Sequence, residues 1–222
     1  TVEKAMDLAV VFSLKKDKEY TEAEPLVILL SKGDHHITSM IQVSSHHITL
    51  RGSLNTNDEL VSTVFGGVHV LPHSLNFRLE KLIIQNNNTL NQTSENPGLV
   101  AQQSMTALHC EFKNCSGTGV VVMGKGVVLT VKCCSFNDNA RHGLHCLGES
   151  SVLFFGKNET KRNNWSGVWG NTRVAVDTGV GTITIEGNCV NHDAEGYTNL
   201  DQIECNGQSV GAWYSDERVA VR

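Results

Sequence analysis

Residues that could bind or react recur at a spacing of 24 positions in the second half of the sequence. Arg162 follows Asp138 at this spacing, Trp165 follows Arg141, and Trp169 follows His145. A carboxylate beside a cation can poise a base, whereas Trp, His and Arg side chains can stack on a sugar ring or anchor a peptide. These pairs have chemical meaning only if positions 24 apart are neighbours in space, and that depends on the elements between them.

The same offset runs through the glycine and apolar residues. It aligns segments 112–119, 136–143 and 160–167, so glycine returns at positions 119, 143 and 167. It also stacks three apolar sets: Met105, Leu129 and Leu153; Ala107, Val131 and Phe155; Val120, Leu144 and Val168. A fixed period of this length predicts a repeat architecture. A fourth copy, segment 189–196, arrives five residues late, which predicts a loop between Val168 and Cys189.

Each period contains two or three short stretches in which apolar and polar residues alternate, separated by turns rich in Asn and Gly. Such alternation indicates strands, and no stretch within a period is long enough for a crossover helix. Strands that recur without helices can pair in parallel only if the chain coils. Each coil then lies about 4.8 Å from the last, and like residues form ladders along the axis. Inward ladders are expected to make the core, outward ones the surface, and stacked Asn side chains to satisfy backbone groups at the turns.

The upstream half is less regular, with strand candidates at 26–30, 40–43, 47–52, 61–65 and 77–86. The segments GDHHITSMIQVSSHHITLRG, VSTVFGG and NFRLEKLIIQNNN resemble the opening coils of right-handed parallel β-helix proteins of the pectin-lyase-like superfamily. The resemblance covers about residues 25–206. It implies an all-β fold, a single right-handed parallel β-helix solenoid, which we expect to have about seven or eight coils.

The two ends of the chain differ from the repeat. Apolar residues recur at helical spacing over residues 2–14, which predicts a short helical cap within 1–20. The solenoid is assigned to 21–206, and 207–222 either continues it or contacts a partner. A homo-oligomer and a segment of a longer chain both stay open.

The resemblance leaves several function classes open, because the superfamily includes polysaccharide lyases, hydrolases, epimerases, phage-tail domains and noncatalytic interaction domains. Sequence segments typical of polygalacturonases, pectate lyases and alginate epimerases are absent. The favoured hypothesis is a noncatalytic module that binds a glycan or a protein through an exposed sheet face. The alternatives are a lyase or glycoside hydrolase acting on an acidic polysaccharide, and a structural segment of a larger assembly.

The binding residues proposed for the module are Arg141, His145, Trp165 and Trp169, all expected on the outer surface. A competing interpretation is that a loop around 171–182 covers the two tryptophans. For the enzyme, the catalytic candidates are Asp138 and Arg162, with an ordinary ion pair between coils as the favoured interpretation.

Composition limits the remaining classes of partner. The net charge of −5, without a basic stripe, argues against nucleic acid, and no apolar run approaches the roughly 20 residues of a membrane-spanning helix. The histidine doublets at 35–36 and 46–47 match no structural zinc spacing, so no metal or cofactor is predicted.

The cysteines bear on the cellular compartment. They number seven, an odd count that favours packed thiols and slightly favours an intracellular location. Cys110 and Cys134, 24 residues apart, are expected to lie buried in one ladder. Five Asn-x-Ser/Thr sequons leave secretion open.

Overall fold

The computed structural model describes residues 2, 4–6, 20–87, 96–148, 150–165, 167–170, 174–176, 182–186 and 218–219. Within these residues the chain winds into a parallel β-solenoid, in which each coil contributes one short strand to each of three sheets. The strands are short because each carries only two or three inward side chains before the chain must bend toward the next sheet.

The strands, in chain order, are β1 (Leu26–Leu29), β2 (Gly33–His36), β3 (Ile41–Val43), β4 (Ile48–Arg51), β5 (Ser62–Phe65), β6 (Val68–Val70), β7 (Phe77–Glu80), β8 (Ile83–Gln85), β9 (Leu99–Ala101), β10 (Met105–Leu108), β11 (Glu111–Lys113), β12 (Val120–Met123), β13 (Val128–Lys132), β14 (Ser135–Asn137), β15 (Leu144–Leu147), β16 (Ser151–Phe155), β17 (Lys157–Lys161), β18 (Val168–Gly170), β19 (Val174–Val176), β20 (Thr182–Glu186) and β21 (Arg218–Val219).

From β1 to β20, every third strand belongs to the same sheet. Sheet 1 has the order β1-β4-β7-β10-β13-β16-β19, sheet 2 the order β2-β5-β8-β11-β14-β17-β20-β21, and sheet 3 the order β3-β6-β9-β12-β15-β18. All neighbours pair in parallel except β20 and β21, which are antiparallel. The described strands make six complete coils and two strands of a seventh, against the expected seven or eight. The prediction of an all-β parallel solenoid is confirmed.

Alternation within each strand places the core on the axis of the solenoid. In sheet 2 the inward column includes Ile84, Phe112 and Phe136, all fully buried. The rings of Phe112 and Phe136 stack in parallel with their centroids 5.5 Å apart, because the strands that carry them are hydrogen-bonded neighbours in exact register. The inward face of sheet 3 is similarly apolar, with Val120, Leu144 and Val168 in one buried column.

One part of the predicted register is wrong. Met105 pairs with Leu129 as expected, but Leu129 then pairs with Val152 instead of Leu153, and Val131 with Phe154 instead of Phe155. The turn that leads into β16 spans residues 148–150, one residue fewer than the corresponding turn at 124–127. Since side chains alternate along a strand, this one-residue difference moves Leu153 and Phe155 to the outer face, where both are half-buried.

From β7 to β17, each bend from sheet 1 to sheet 2 contains one residue with left-handed backbone conformation. Lys81, His109 and Cys133 occupy this place in successive coils, with φ of 56°, 51° and 52°. Their backbone N–H groups donate to carbonyls of the next coil, so the three residues form a column along the axis. In the following coil Gly156, with φ of 66°, takes the same conformation.

The turn from sheet 2 to sheet 3 is built from buried asparagines. Asn139 accepts a hydrogen bond from the backbone N–H of Cys115 (3.1 Å) and donates to the Phe112 carbonyl (3.2 Å). Asn163 repeats this in the next coil, accepting from the Asn139 N–H (3.0 Å) and donating to the Phe136 carbonyl (2.9 Å). The predicted asparagine stack therefore satisfies backbone groups that the bend removes from the sheets.

A glycine column follows the asparagines. A Cβ atom on Gly119 would lie 2.6 Å from the Gly143 carbonyl oxygen, and one on Gly143 would lie 2.5 Å from the Gly167 oxygen. The predicted column at 119, 143 and 167 is therefore required by close backbone approach. Gly98 and Gly67 extend it in the same way toward the N-terminus, although their spacing departs from 24 residues.

At the N-terminus Val2 and Lys4 to Met6 are helical, and the side chains of Val2 and Met6 join the hydrophobic core. The rest of the predicted cap falls outside the described residues, as do most of 171–206, including the fourth repeat copy at 189–196, and nearly all of 207–222. No helix in the described part of the chain is long and apolar enough to cross a membrane.

Candidate functional site: an aromatic cluster on sheet 3

Five side chains come together on the outer surface where the bend from sheet 2 enters sheet 3, in the fifth and sixth coils. We call them the aromatic cluster: Arg141, His142, His145, Trp165 and Trp169. Arg141 and His142 lie in the bend before β15, His145 on β15, Trp165 in the next bend and Trp169 on β18. All four residues predicted for binding belong to it.

The 24-residue offset brings the cluster together as expected. His145 pairs with Trp169 across β15 and β18, and Val121 precedes them in the same outward column. The backbone N–H of Trp165 donates to the backbone carbonyl of Arg141 (3.1 Å), and the Arg141 guanidinium lies 4.4 Å from the Trp165 ring centroid. This is the geometry of a cation–π contact, which places the arginine over the face of the indole.

His142 is the centre of the cluster and was not among the predicted binding residues. It is only 5% exposed. Its ring stacks on Trp169 (5.2 Å, 11° between planes) and meets Trp165 edge-on at 5.0 Å and His145 at 5.1 Å. The sequence carried no direct signal for this role, because position 142 lies in a bend, where the strand alternation that oriented His145 and Trp169 does not apply.

His145 is neutral under ordinary conditions. Burial, followed by the positive charge of Arg141, lowers the pKa of its imidazole from 6.5 to about 4. Its Nε2 atom is buried and has no hydrogen-bond partner among the described residues, while the ring packs edge-on against Trp169 at 4.2 Å. The cluster therefore presents two indoles and a neutral imidazole, with one fixed positive charge at its border.

The surroundings of the cluster on sheet 3 are largely apolar. Val100 and Val121 continue its outward column toward the N-terminus. Met123 and Leu147 form a second outward column beside it. All four side chains are half-buried, so the outer face of sheet 3 carries an apolar strip from β9 to the aromatic cluster, whereas His69 and Gln42 continue the first column on β6 and β3.

The two predicted catalytic candidates form an ion pair at the neighbouring outer turn. Arg162 donates from Nε and Nη2 to the two carboxylate oxygens of Asp138, each at 2.6 Å. The Arg162 and Asp138 side chains are 60% and 36% exposed, and both residues have left-handed backbone conformation. This geometry matches the interpretation favoured from sequence, an ion pair between adjacent coils, and it occupies both oxygens that a general base would use.

The described cysteines are unoxidised and mostly buried. Cys110 and Cys134 occupy adjacent coils as predicted, with the Cys110 N–H 3.5 Å from the Cys134 sulfur. Burial raises the pKa of the Cys110 thiol above its usual value and that of Cys115 to about 12, so both stay protonated and unreactive. Among the residues that the structure describes, no group of three or more His, Cys, Asp or Glu side chains is arranged to hold a metal ion.

Comparison with known families agrees with this architecture. The family model described as "Right handed beta helix region" matches residues 38–166, more than half of the chain. The chain belongs to this right-handed β-helix family. Searches of curated proteins and of solved structures returned no match. The family establishes the fold, and the matched range includes all of the aromatic cluster except Trp169.

Proposed function

We propose that this β-helix is a noncatalytic interaction module that binds a protein partner through the outer face of sheet 3, with the aromatic cluster as its anchor. The observation that supports the proposal is the contact of two tryptophans, two histidines and an arginine at the end of an apolar strip. Trp and Arg are enriched among the few residues that supply most of the binding energy at protein interfaces.

Mutual contacts restrict the side chains of the cluster before any partner arrives. Trp169 is held by His142 on one side and by His145 at its edge, and Trp165 by His142 and Arg141. Binding therefore loses little side-chain entropy. A large rigid side chain of this kind contributes more of its contact energy to affinity than a mobile one would.

The apolar strip favours a protein over a glycan. A sugar chain brings many hydroxyl groups that need hydrogen-bond partners. The side chains of Val100, Val121 and Leu147 offer none, and the weakly accepting Met123 sulfur already accepts from the Gln102 amide (3.5 Å). An apolar surface beside Trp and Arg resembles the centre of protein interfaces, from which most charged residues are excluded. Glycan binding is accordingly the competing outcome.

The test of partner binding compares Trp169→Ala with a matched aromatic truncation, Phe155→Ala, which removes a half-buried ring from sheet 1. Immobilised protein would first capture partners from an extract of the source organism. The purified partner would then be titrated against each variant. We expect Trp169→Ala to weaken binding about tenfold or more, and Phe155→Ala to leave it unchanged. Equal affinities for all three proteins would contradict the proposal.

A second assay distinguishes the module from an enzyme or a glycan-binding module. Pectate, alginate, glucuronan and hyaluronan would be incubated with the protein and followed for unsaturated products, new reducing ends and binding. We expect no turnover. Cleavage that disappears in Asp138→Asn would instead establish the carbohydrate-active enzyme, and glycan binding lost in Trp169→Ala would replace the protein partner by a polysaccharide.

A further inference from the structure

A second candidate site lies along the corner between sheets 1 and 2. A groove of about 740 Å³ runs there over the third to sixth coils. Its rim includes Lys81, His109 and Cys133, the column of left-handed bend residues, followed by Lys157. None of these four belongs to the aromatic cluster, and the groove shares no lining residue with it.

The opposite wall is an ordered loop, residues 52–61, between β4 and β5. Leu54 and Leu60 pair within it as an isolated antiparallel bridge, and both line the groove. The Asn55 side-chain oxygen accepts hydrogen bonds from the backbone N–H groups of Asn57 and Glu59, which fixes the turn of the loop. The two leucines therefore present a preformed apolar wall, and the sulfur-bearing Cys110, Cys133 and Cys134 line the same groove.

The charges of the groove fall into two groups. Glu111 and Glu159, on the outer face of sheet 2, are each neutralised by a lysine two residues away, Lys113 at 2.8 Å and Lys161 at 3.0 Å. Burial would raise the pKa of Glu159, but hydrogen bonds from Asn137 and Lys161 outweigh it and lower the pKa. By contrast, Lys81, His109 and Lys157 have no side-chain ion pair in the described part of the chain.

Lys81 and Lys157 are opposed only by Asp58 at the loop, since each lining glutamate already has its own lysine. The lining residues carry two lysines against Asp58, Glu111 and Glu159. Lys113 and Lys161, which pair with the two glutamates from just outside the groove, bring the net charge of this region to +1, with histidine counted as neutral. The lysines of the rim therefore complement an acidic ligand, and the leucine wall can contact an apolar group of the same ligand. No lining residue is Phe, Tyr or Trp, so the groove lacks the large flat rings on which sugars stack best. This combination favours a peptide over a glycan.

We propose that the groove binds an extended acidic peptide segment of a partner protein, in which two acidic residues four positions apart flank an apolar one. Lys81 and Lys157 lie three coils apart, about 14 Å at the usual strand spacing. An extended peptide covers about 13 Å in four residues, and its alternate side chains point to the same side. Residues 1 and 5 of such a segment therefore reach Lys81 and Lys157 together, and the side chain of residue 3 enters the groove that Leu54 and Leu60 line.

The experiment uses the whole protein and a fluorescein-labelled peptide, Gly-Glu-Ser-Leu-Ser-Glu-Gly, followed by fluorescence anisotropy at low and moderate salt. The control peptide, Gly-Glu-Glu-Leu-Ser-Ser-Gly, keeps the composition and breaks the spacing. The test variant is Lys81→Ala/Lys157→Ala. Its matched control is Lys125→Ala, an exposed lysine at the turn between sheets 3 and 1. Thermal unfolding followed by circular dichroism would verify that all variants fold.

We expect the spaced peptide to bind, and its affinity to fall about tenfold in the double variant and on raising the salt concentration. Lys125→Ala and Trp169→Ala should leave it unchanged, so that this site and the sheet 3 site are tested separately. Equal binding of the two peptides, absence of binding, or undiminished affinity in the double variant would overturn the proposal. Competition by oligogalacturonate at equal concentration would overturn it too, because the groove would then be a glycan site.

Discussion

The bend between sheets 2 and 3 has an inner and an outer side, and the two sides follow different rules. On the inside, Asn139 and Asn163 make equivalent hydrogen bonds in successive coils, and the glycines behind them are interchangeable. On the outside, Gly117, Arg141 and Trp165 occupy one column, linked by backbone hydrogen bonds, and no two are of the same type. At this bend, therefore, the coil constrains the residue type only at positions whose side chains face inward. We therefore expect binding residues in outward columns, where the residue type changes from coil to coil.

Substitution of an inward glycine should have the largest effect. In Gly143→Ala the new methyl group would meet the Gly167 carbonyl oxygen at 2.5 Å and the Thr160 hydroxyl still closer. We expect a loss of at least about 3 kcal/mol in the free energy of unfolding, because two backbones must separate. Urea unfolding followed by circular dichroism would measure it.

The control for this substitution is Gly126→Ala at an outer turn. Its methyl group would meet no atom within 4 Å, although its φ of +73° is unfavourable for alanine. About 1 kcal/mol of backbone strain is expected there. Equal losses in the two variants would show that the inner column is no more constrained than the turns.

An intermediate effect is expected from protonation within the aromatic cluster. The pKa of His145 is about 4 in the folded protein and 6.5 when unperturbed. Between pH 4 and pH 6.5 this imidazole is therefore protonated in the unfolded chain and neutral in the folded protein. Stability should therefore fall as the pH drops from 6.5 to 4, by about 2 to 3 kcal/mol from this residue. Urea unfolding at each pH would compare the parent protein with His145→Gln, which should lose this component.

His73→Gln, at an exposed position, serves as the control for that series and should keep the parental pH profile. If His145→Gln followed the parental profile as well, the imidazole would not be held neutral by its surroundings. His145 would then behave like a residue on the exposed surface and not like part of a packed cluster.

The smallest effect should come from the outermost contact at the same bend. The Asp138–Arg162 pair is exposed, so solvent screens it despite its two short hydrogen bonds. Arg162→Gln should change the free energy of unfolding by less than about 1 kcal/mol. A double-mutant cycle with Asp138→Asn would isolate the pair. A coupling energy above about 2 kcal/mol between Asp138 and Arg162 would show that this outer turn is constrained as strongly as the inner positions.

The sequence predicted those features that depend on periodicity. The coiled strands, the glycine column, the asparagine stack and the contacts of Arg141 with Trp165 and of His145 with Trp169 all follow from the 24-residue offset. His142 was missed because its contacts arise in a bend, where no alternation orients a side chain. The groove was missed because its leucine wall comes from a loop of the second coil that folds across later coils, a contact that no local repeat encodes.

The missing residue in the turn at 148–150 has a further consequence. The strand that follows, β16, is shifted by one position against β13, yet β17 returns to the original 24-residue pairing with β14. Three residues, 156–158, stand where the previous coil has two, and the bend keeps its left-handed first residue, Gly156. The residue missing from one turn is thus compensated by an extra residue in the next bend. Only β16 has a different set of side chains on its outer face. Solenoids of this kind can acquire new surface chemistry by paired length changes without disturbing the coils on either side.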